Sequence, residues 1–185
     1  MLTKLFIFMM LLIYQPLALL GGGLQTLPNI SFDKKSTPNG KGWSSKSVAG
    51  KVVYWLYVDP DKKSYNKALA DAVKAKNYDA KYFQTVAVIN MKATMIPNFL
   101  LNSALKDKQK EYPKVDYIKD FDRRLVKEWG LADDEYVICL FDHTGKLIYY
   151  KYGELPKKEV KSLIGILDVA VSLSLIHISE PTRPY

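Results

Sequence analysis

Apolar positions along the chain fall into two patterns. Lys51–Val58 (KVVYWLYV) and Tyr82–Asn90 (YFQTVAVIN) are near-continuous apolar runs, as expected for strands covered on both faces. Glu135–Asp142 is a third long strand, and Val115–Lys119 is a short one. Asp142-His143-Thr144-Gly145 reads as a turn, with Gly145 supplying the positive φ. Lys146–Tyr152 then returns antiparallel, alternating Leu147/Tyr149 against Ile148/Tyr150.

Between these runs the period lengthens to that of a helix. Asp59 as N-cap and Pro60 at the first helical position open a helix to about Asn77, with Tyr65, Leu69 and Val73 on one stripe. Met95–Glu111 is interrupted once by Pro97 and is then helical, with Phe99, Leu100 and Leu105 expected inward. Asp122–Trp129 is a helix closed by Gly130 as a left-handed C-cap. Pro156 opens a last amphipathic helix carrying Val160, Leu163, Ile164 and Leu167. The order β-α-β-α-β-α-β-β-α predicts an α/β domain over residues 51–172. Its central sheet is mostly parallel, with a C-terminal antiparallel hairpin and helices on both faces, and that arrangement is thioredoxin-like.

Two end segments and a lead-in flank the domain. Residues 1–22 have the order of a secretory signal peptide: Lys4, an apolar run from Leu5 to Tyr14, Gln15-Pro16, then small residues from Gly21. The run is short of the roughly 20 apolar residues of a membrane span. The alternative is an uncleaved N-terminal anchor, the one route to a membrane. No cysteine follows the run, which excludes a lipoprotein anchor. Residues 23–50 are rich in Ser, Gly, Asn and Pro and read as an extended, loosely structured lead-in, with Trp43 packing on the main body. Residues 173–185 are set apart because Leu173–Arg183 resembles the in-frame translation of a sequencing-library transposase adapter; His177 thereby leaves the candidate set.

Composition adds little that is specific. A net charge of +8 favours anionic partners, but the lysines are interleaved with acids, as in Lys106-Asp107-Lys108-Gln109-Lys110-Glu111. Export would place the chain in the periplasm, with a periplasmic protein or an anionic surface as partner. Nucleic acid ranks last for an exported protein. One cysteine, Cys139, allows no internal disulfide.

The segments GKVVYWLYVDP, FQTVAVIN, IKDFDRRLVKEWGL and FDHTGKLIYYKYGEL resemble, in order and spacing, the YtfJ-like periplasmic proteins over roughly Leu27–Leu167. The resemblance implies a thioredoxin-like fold in the periplasm with no established biochemical activity. Some members carry a transcriptional-regulator label, against which a signal peptide argues. The chain departs from the redox relatives of this fold. It has no Cys-x-x-Cys, and Asp134-Glu135-Tyr136 lacks the proline that those relatives hold in the cis form.

Candidate chemistry is sparse. The corner after the first long strand carries Asp59 and Asp61 where a dithiol would use the positive field of a helix start. Those carboxylates read as caps, with a metal pair as the alternative. Cys139, in VICLFD, reads as a small core residue; the alternative is a one-cysteine thiol peroxidase, which would need the thiol exposed beside a cation. His143 reads as turn surface, and Asp133-Asp134-Glu135 as a solvated loop able to take a cation. Tyr54, Tyr57 and Tyr149, with other strand aromatics and lysines, form a candidate binding surface, weighed against ordinary sheet packing. No cofactor is implied. The sequence reading is therefore a non-catalytic binding or accessory module, with a peroxidase and a regulator of anionic partners as alternatives.

Overall fold

The computed structural model describes residues 24–179. The signal-peptide expectation lies outside the described residues, as do the last six positions of the adapter-like tail. Five strands form the main sheet: β3 (Val52–Val58), β4 (Phe83–Asn90), β5 (Val115–Asp120), β6 (Tyr136–Phe141) and β7 (Leu147–Tyr152), in the spatial order β5-β4-β3-β6-β7. β3 pairs parallel with β4, and β4 with β5. The hairpin β6–β7 enters antiparallel, with β6 seated directly against β3. The expected thioredoxin-like architecture is present.

β3 is buried along its whole length, and its alternation splits the core in two. Val53, Trp55 and Tyr57 face one side, with Val86, Val88, Cys139 and Phe141. Val52, Tyr54, Leu56 and Val58 face the other, with Ala87, Ile138 and Leu140. The second side is covered by α1 (Lys67–Lys76) through Leu69 and Val73, and by α4 (Lys157–Ser179) through Leu163 and Leu167. α2 (Asn98–Glu111) caps the β4–β5 end, where Leu101 and Leu105 pack on Met91. The first side is covered by the short α3 (Arg124–Trp129), through Leu125 and Trp129, and by the lead-in.

The lead-in is more ordered than its composition suggests. It forms a small hairpin, β1 (Ser31–Phe32) with β2 (Trp43–Ser44), and buries Leu24, Ile30, Phe32 and Val48 in the core. Ser45 Oγ accepts from the Ile30 amide at 3.0 Å. Trp43 packs on Trp55 with ring centroids 5.5 Å apart, and its indole N–H donates to Asp116 at 2.8 Å. Trp55 in turn meets Trp129 at 4.7 Å. The four buried residues follow no single period, so a pattern search finds no element in them.

Two helix expectations are corrected. After β3 the chain makes a 3-10 turn, Pro60–Lys62, and the α-helix starts only at Lys67. The break is at Asn66, which is buried in the left-handed conformation (φ 56°). Its side chain donates to the Gly153 carbonyl at 3.0 Å and accepts from the Leu155 amide at 2.7 Å, pinning the start of α1 to the β7–α4 connection. In α2 the inward pair is Leu101 and Leu105; Phe99 and Leu100 point outward, because Leu101 and Leu105, four residues apart, set the buried stripe.

The stripe of α4 runs through Leu163, Leu167, Ala170 and Val171 and then inverts. Ser174 is fully buried, with its hydroxyl unpartnered among the described residues, while Leu173, Leu175 and Ile176 are exposed. That inversion coincides with the start of the adapter-like stretch.

Two stability measurements follow. Asn66→Ala strands two buried backbone groups and puts alanine in a left-handed conformation that asparagine tolerates better, so urea denaturation should show a loss of about 2–4 kcal/mol. Asn66→Gly keeps the conformation and should lose clearly less. Ser174→Ala removes an unpaired buried hydroxyl and should raise stability by about 1 kcal/mol in the same assay.

Candidate functional site

The three parallel strands end at one edge of the sheet, and β6 begins there. Open α/β sheets bind ligands beyond the carboxyl ends of their strands. Each parallel strand here ends in a buried polar side chain: Asp59 (4% exposed), Asn90 (1%) and Asp120 (2%). Asn90 pairs in register with Asp120, and Asp59 follows Val58, the register partner of Ile89. The three therefore form a row across the end of the sheet.

Every member of the row is paired, as burial of a polar group demands. A carboxylate oxygen of Asp59 accepts from the Asp61 amide at 2.8 Å, and the Asp59 amide donates to the Glu135 carbonyl at 3.1 Å. Burial raises the Asp59 carboxyl above its ordinary value. The Asn90 amide donates to Asp133 at 2.8 Å, and its oxygen accepts from the Lys92 amide at 3.1 Å. Asp120 Oδ1 accepts from the Asp122 and Arg124 amides; Oδ2 accepts from the Leu125 amide at 3.0 Å and the Tyr57 hydroxyl at 3.3 Å. Asp120 thus caps the first turn of α3, which begins at Arg124, two residues later than the expected start at Asp122.

Charged links close the surface above the row. The Lys62 ammonium lies 2.9 Å from a Glu135 carboxylate oxygen and donates to the Asp134 carbonyl. The hydrogen bond to Glu135 raises the Lys62 ammonium above its usual value. Asp61 accepts from the Thr94 hydroxyl at 2.9 Å, tying the corner to the chain leaving β4. Arg123, left-handed at φ 52°, pairs with Asp133 at 3.1 Å and donates to the Lys92 carbonyl at 3.1 Å.

The structure separates the sequence candidates. Asp59 and Asp61 sit at the corner as caps and links; no cluster of three metal-type ligands occurs among the described residues. Cys139 lies in β6 between Trp55 and Tyr150, fully buried, and desolvation pushes its thiol well above the ordinary range. His143 is in the β6–β7 turn at the opposite end of the sheet. There Asp142 organises the turn by accepting from the Thr144 and Lys146 amides.

The expected tyrosine surface needs correction. Tyr54 and Tyr57 are both buried, because both lie on the central strand covered on two sides. Tyr54 keeps no wet hydroxyl: its oxygen is buried without a hydrogen-bond partner among the described residues. Tyr149 is half-buried, and burial raises its phenol to about 12. Sequence reasoning missed Asn90, Asp120, Arg123 and the Lys62–Glu135 link. The one available signal was a polar residue at the end of each parallel strand.

Residues 24–170 match the family described as bacterial protein of unknown function, YtfJ_HI0045. An uncharacterized protein of Haemophilus influenzae is 29% identical over 130 residues, covering 68% of this chain and 70% of that one. The uncharacterized protein YtfJ of Escherichia coli K12 is 25% identical over 131 residues, covering 69% and 71%. Among solved structures, a thiol-disulfide isomerase from Corynebacterium glutamicum superposes with a TM-score of 0.55 at 20% identity, covering 76% of this chain and 95% of its own. That likeness shows the fold alone. On the sequence match over most of its length, this chain belongs to the YtfJ_HI0045 family of bacterial proteins of unknown function.

Proposed function

We propose that this protein is an exported, periplasmic binding or accessory module that uses the strand-end corner of a thioredoxin-like sheet as a contact face and performs no thiol chemistry. The observation that carries this reading is the place of the single thiol. Cys139 is fully buried, with its thiol held protonated by desolvation, at a position where no peroxide or disulfide can reach it. The solved structure matched above is that of a thiol-disulfide isomerase. Such exchange within one chain needs two cysteines, and this sequence has one.

At the corner, Asp59 and Asp61 take the place of attacking sulfur, and Lys62 bridges to Glu135 across the entrance. Beside the Asp61–Thr94 link, Met95 (97% exposed), Phe99 (70%) and Leu100 stand out from the surface. Neighbouring exposed apolar side chains of this kind suit contact with another protein. The signal-peptide order of residues 1–22 supports export, and among the described residues no helix is long and apolar enough to cross a membrane.

Three measurements test the reading. With Ellman's reagent the native protein should release no thiolate signal, and one thiol should appear in guanidinium. Peroxide turnover should stay at background and be the same in Cys139→Ala; a rate abolished by that substitution would overturn the non-thiol assignment. Cell fractionation should place the protein in the periplasm with its first residues removed, whereas a wholly cytoplasmic pool retaining Met1 would end the export reading.

A further inference from the structure

The edge strand β5 is flanked by two adjoining cavities that lie apart from the Lys62–Glu135 corner. The smaller, about 250 Å³, is walled by Lys34 and Lys35 of the 3-10 turn after β1, Thr37, Asn102 and Lys106 of α2, and Lys119 of β5. The larger, about 740 Å³, shares Lys35 and Lys119 and runs past Phe32, Phe121 and Arg124.

Lys119 is the unusual member. It is only 9% exposed, and a lysine buried to that degree ordinarily has a carboxylate partner. Its ammonium is held instead by the neutral Asn102 Oδ1 at 3.1 Å and lies 5.6 Å from the centre of the Phe121 ring. Among the described residues none of Lys34, Lys35, Lys106 and Lys119 forms an ion pair, although nine such contacts are made by other residues. The acid nearest in sequence, Asp33, is engaged: its Oδ1 accepts from the Lys35 and Ser36 amides and the Ser36 hydroxyl, all at 2.9–3.0 Å. Burial, and then the neighbouring Lys106 charge, lower the Lys119 ammonium below its ordinary value, while the Asp33 charge acts in the opposite direction.

We propose that this cleft is a binding site for a small phosphate-bearing molecule, with the phosphate among Lys34, Lys35, Lys106 and Lys119 and the organic part in the larger cavity against Phe32 and Phe121. The charge count selects the class. A monoanion brings one negative charge to four ammoniums, whereas a phosphate monoester or diphosphate brings roughly two to three in one compact group, and lysine serves such groups as a point charge. The volumes suit a small ligand. The larger cavity also presents Asp33, Asp120 and Asp122, which oppose an extended polyanion such as nucleic acid and favour one compact phosphate group. This site goes beyond the non-thiol binding role and stands or falls independently of it.

Calorimetric titration of the purified protein at low salt tests the site, with inorganic pyrophosphate, inorganic phosphate and acetate as probes. Pyrophosphate should bind saturably at one site per chain, more tightly than phosphate, and acetate should give no binding. Lys119→Met and Lys106→Ala should each weaken pyrophosphate by about tenfold or more. Lys76→Ala, whose ammonium pairs with Asp168 on the helical face, should leave it unchanged. Lys106 is exposed, so its variant carries the test if Lys119→Met does not fold by circular dichroism. Absence of saturable binding, or equal losses in all three variants, would overturn the proposal. So would binding to phosphatidylglycerol vesicles, lost in Lys106→Ala, without binding of free pyrophosphate.

Discussion

The burial of β3 on both faces is the constraint from which the rest of the structure follows. A strand covered on two sides disfavours polar side chains along its length, and Val52–Val58 carries only valine, leucine, tyrosine and tryptophan, with the Tyr54 hydroxyl and Trp55 indole N–H unpartnered among the described residues. Polarity is therefore deferred to the first residue beyond the strand. Asp59 must leave the core and satisfy its own backbone in one step. It does so by bonding to Glu135 through its amide and capping the next turn through its carboxylate. The neighbouring strands meet the same demand at the same level with Asn90 and Asp120, so one packing requirement produces a row of paired polar groups across the sheet.

That row explains how the corner keeps its shape without sulfur. The field at a helix or turn start stabilises any negative charge, thiolate or carboxylate. With Asp59 and Asp61 there, the favourable interaction goes into capping and cross-linking. Lys62 adds a tie across the gap to the segment before β6, on the strand that also holds Cys139. The thiol lies midway along that strand, facing Trp55 and Tyr150, and the fold gives it no path to the surface. The strand order fixes where this corner lies, and a few residues at it decide what the corner is built from.

Much of this was legible from pattern alone. The three long strands are apolar runs bounded by turn residues, and those runs became β3, β4 and β6. The burial of Cys139 follows from its place within such a run, and the capping role of Asp59 from its place before Pro60. What the pattern could not supply was register and distant partners. Asn66 breaks the helix because of groups on Gly153 and Leu155, which no local window contains. Tyr54 and Tyr57 read as candidates for a wet surface only until β6 is known to lie beside β3. Phe99 and Leu100 are apolar, but the phase of the helix, set by Leu101 and Leu105, turns them outward. The burial of Lys119 is likewise invisible in a local window, because Lys34 and Lys35 of the distant lead-in stand beside it.

The lead-in accordingly has two structural roles that cannot be separated. Ile30, Phe32 and Val48 complete the core on the Trp55 side, and Trp43 reaches Asp116 on β5. Arg124 of α3 binds the Ser31 carbonyl at 2.7 Å and stands 5.5 Å from the centre of the Phe32 ring, fixing the segment from the other side. Between these anchors, the Asp33-capped turn holds Lys34 and Lys35 over the edge strand. Like charges brought together in a folded protein repel one another, and the apolar anchoring of the lead-in opposes that repulsion. A partner anion would relieve the repulsion and bind more tightly where the anchors hold the lysines in place. Charge in the cleft and hydrophobic packing beneath it are in this way two ends of one segment.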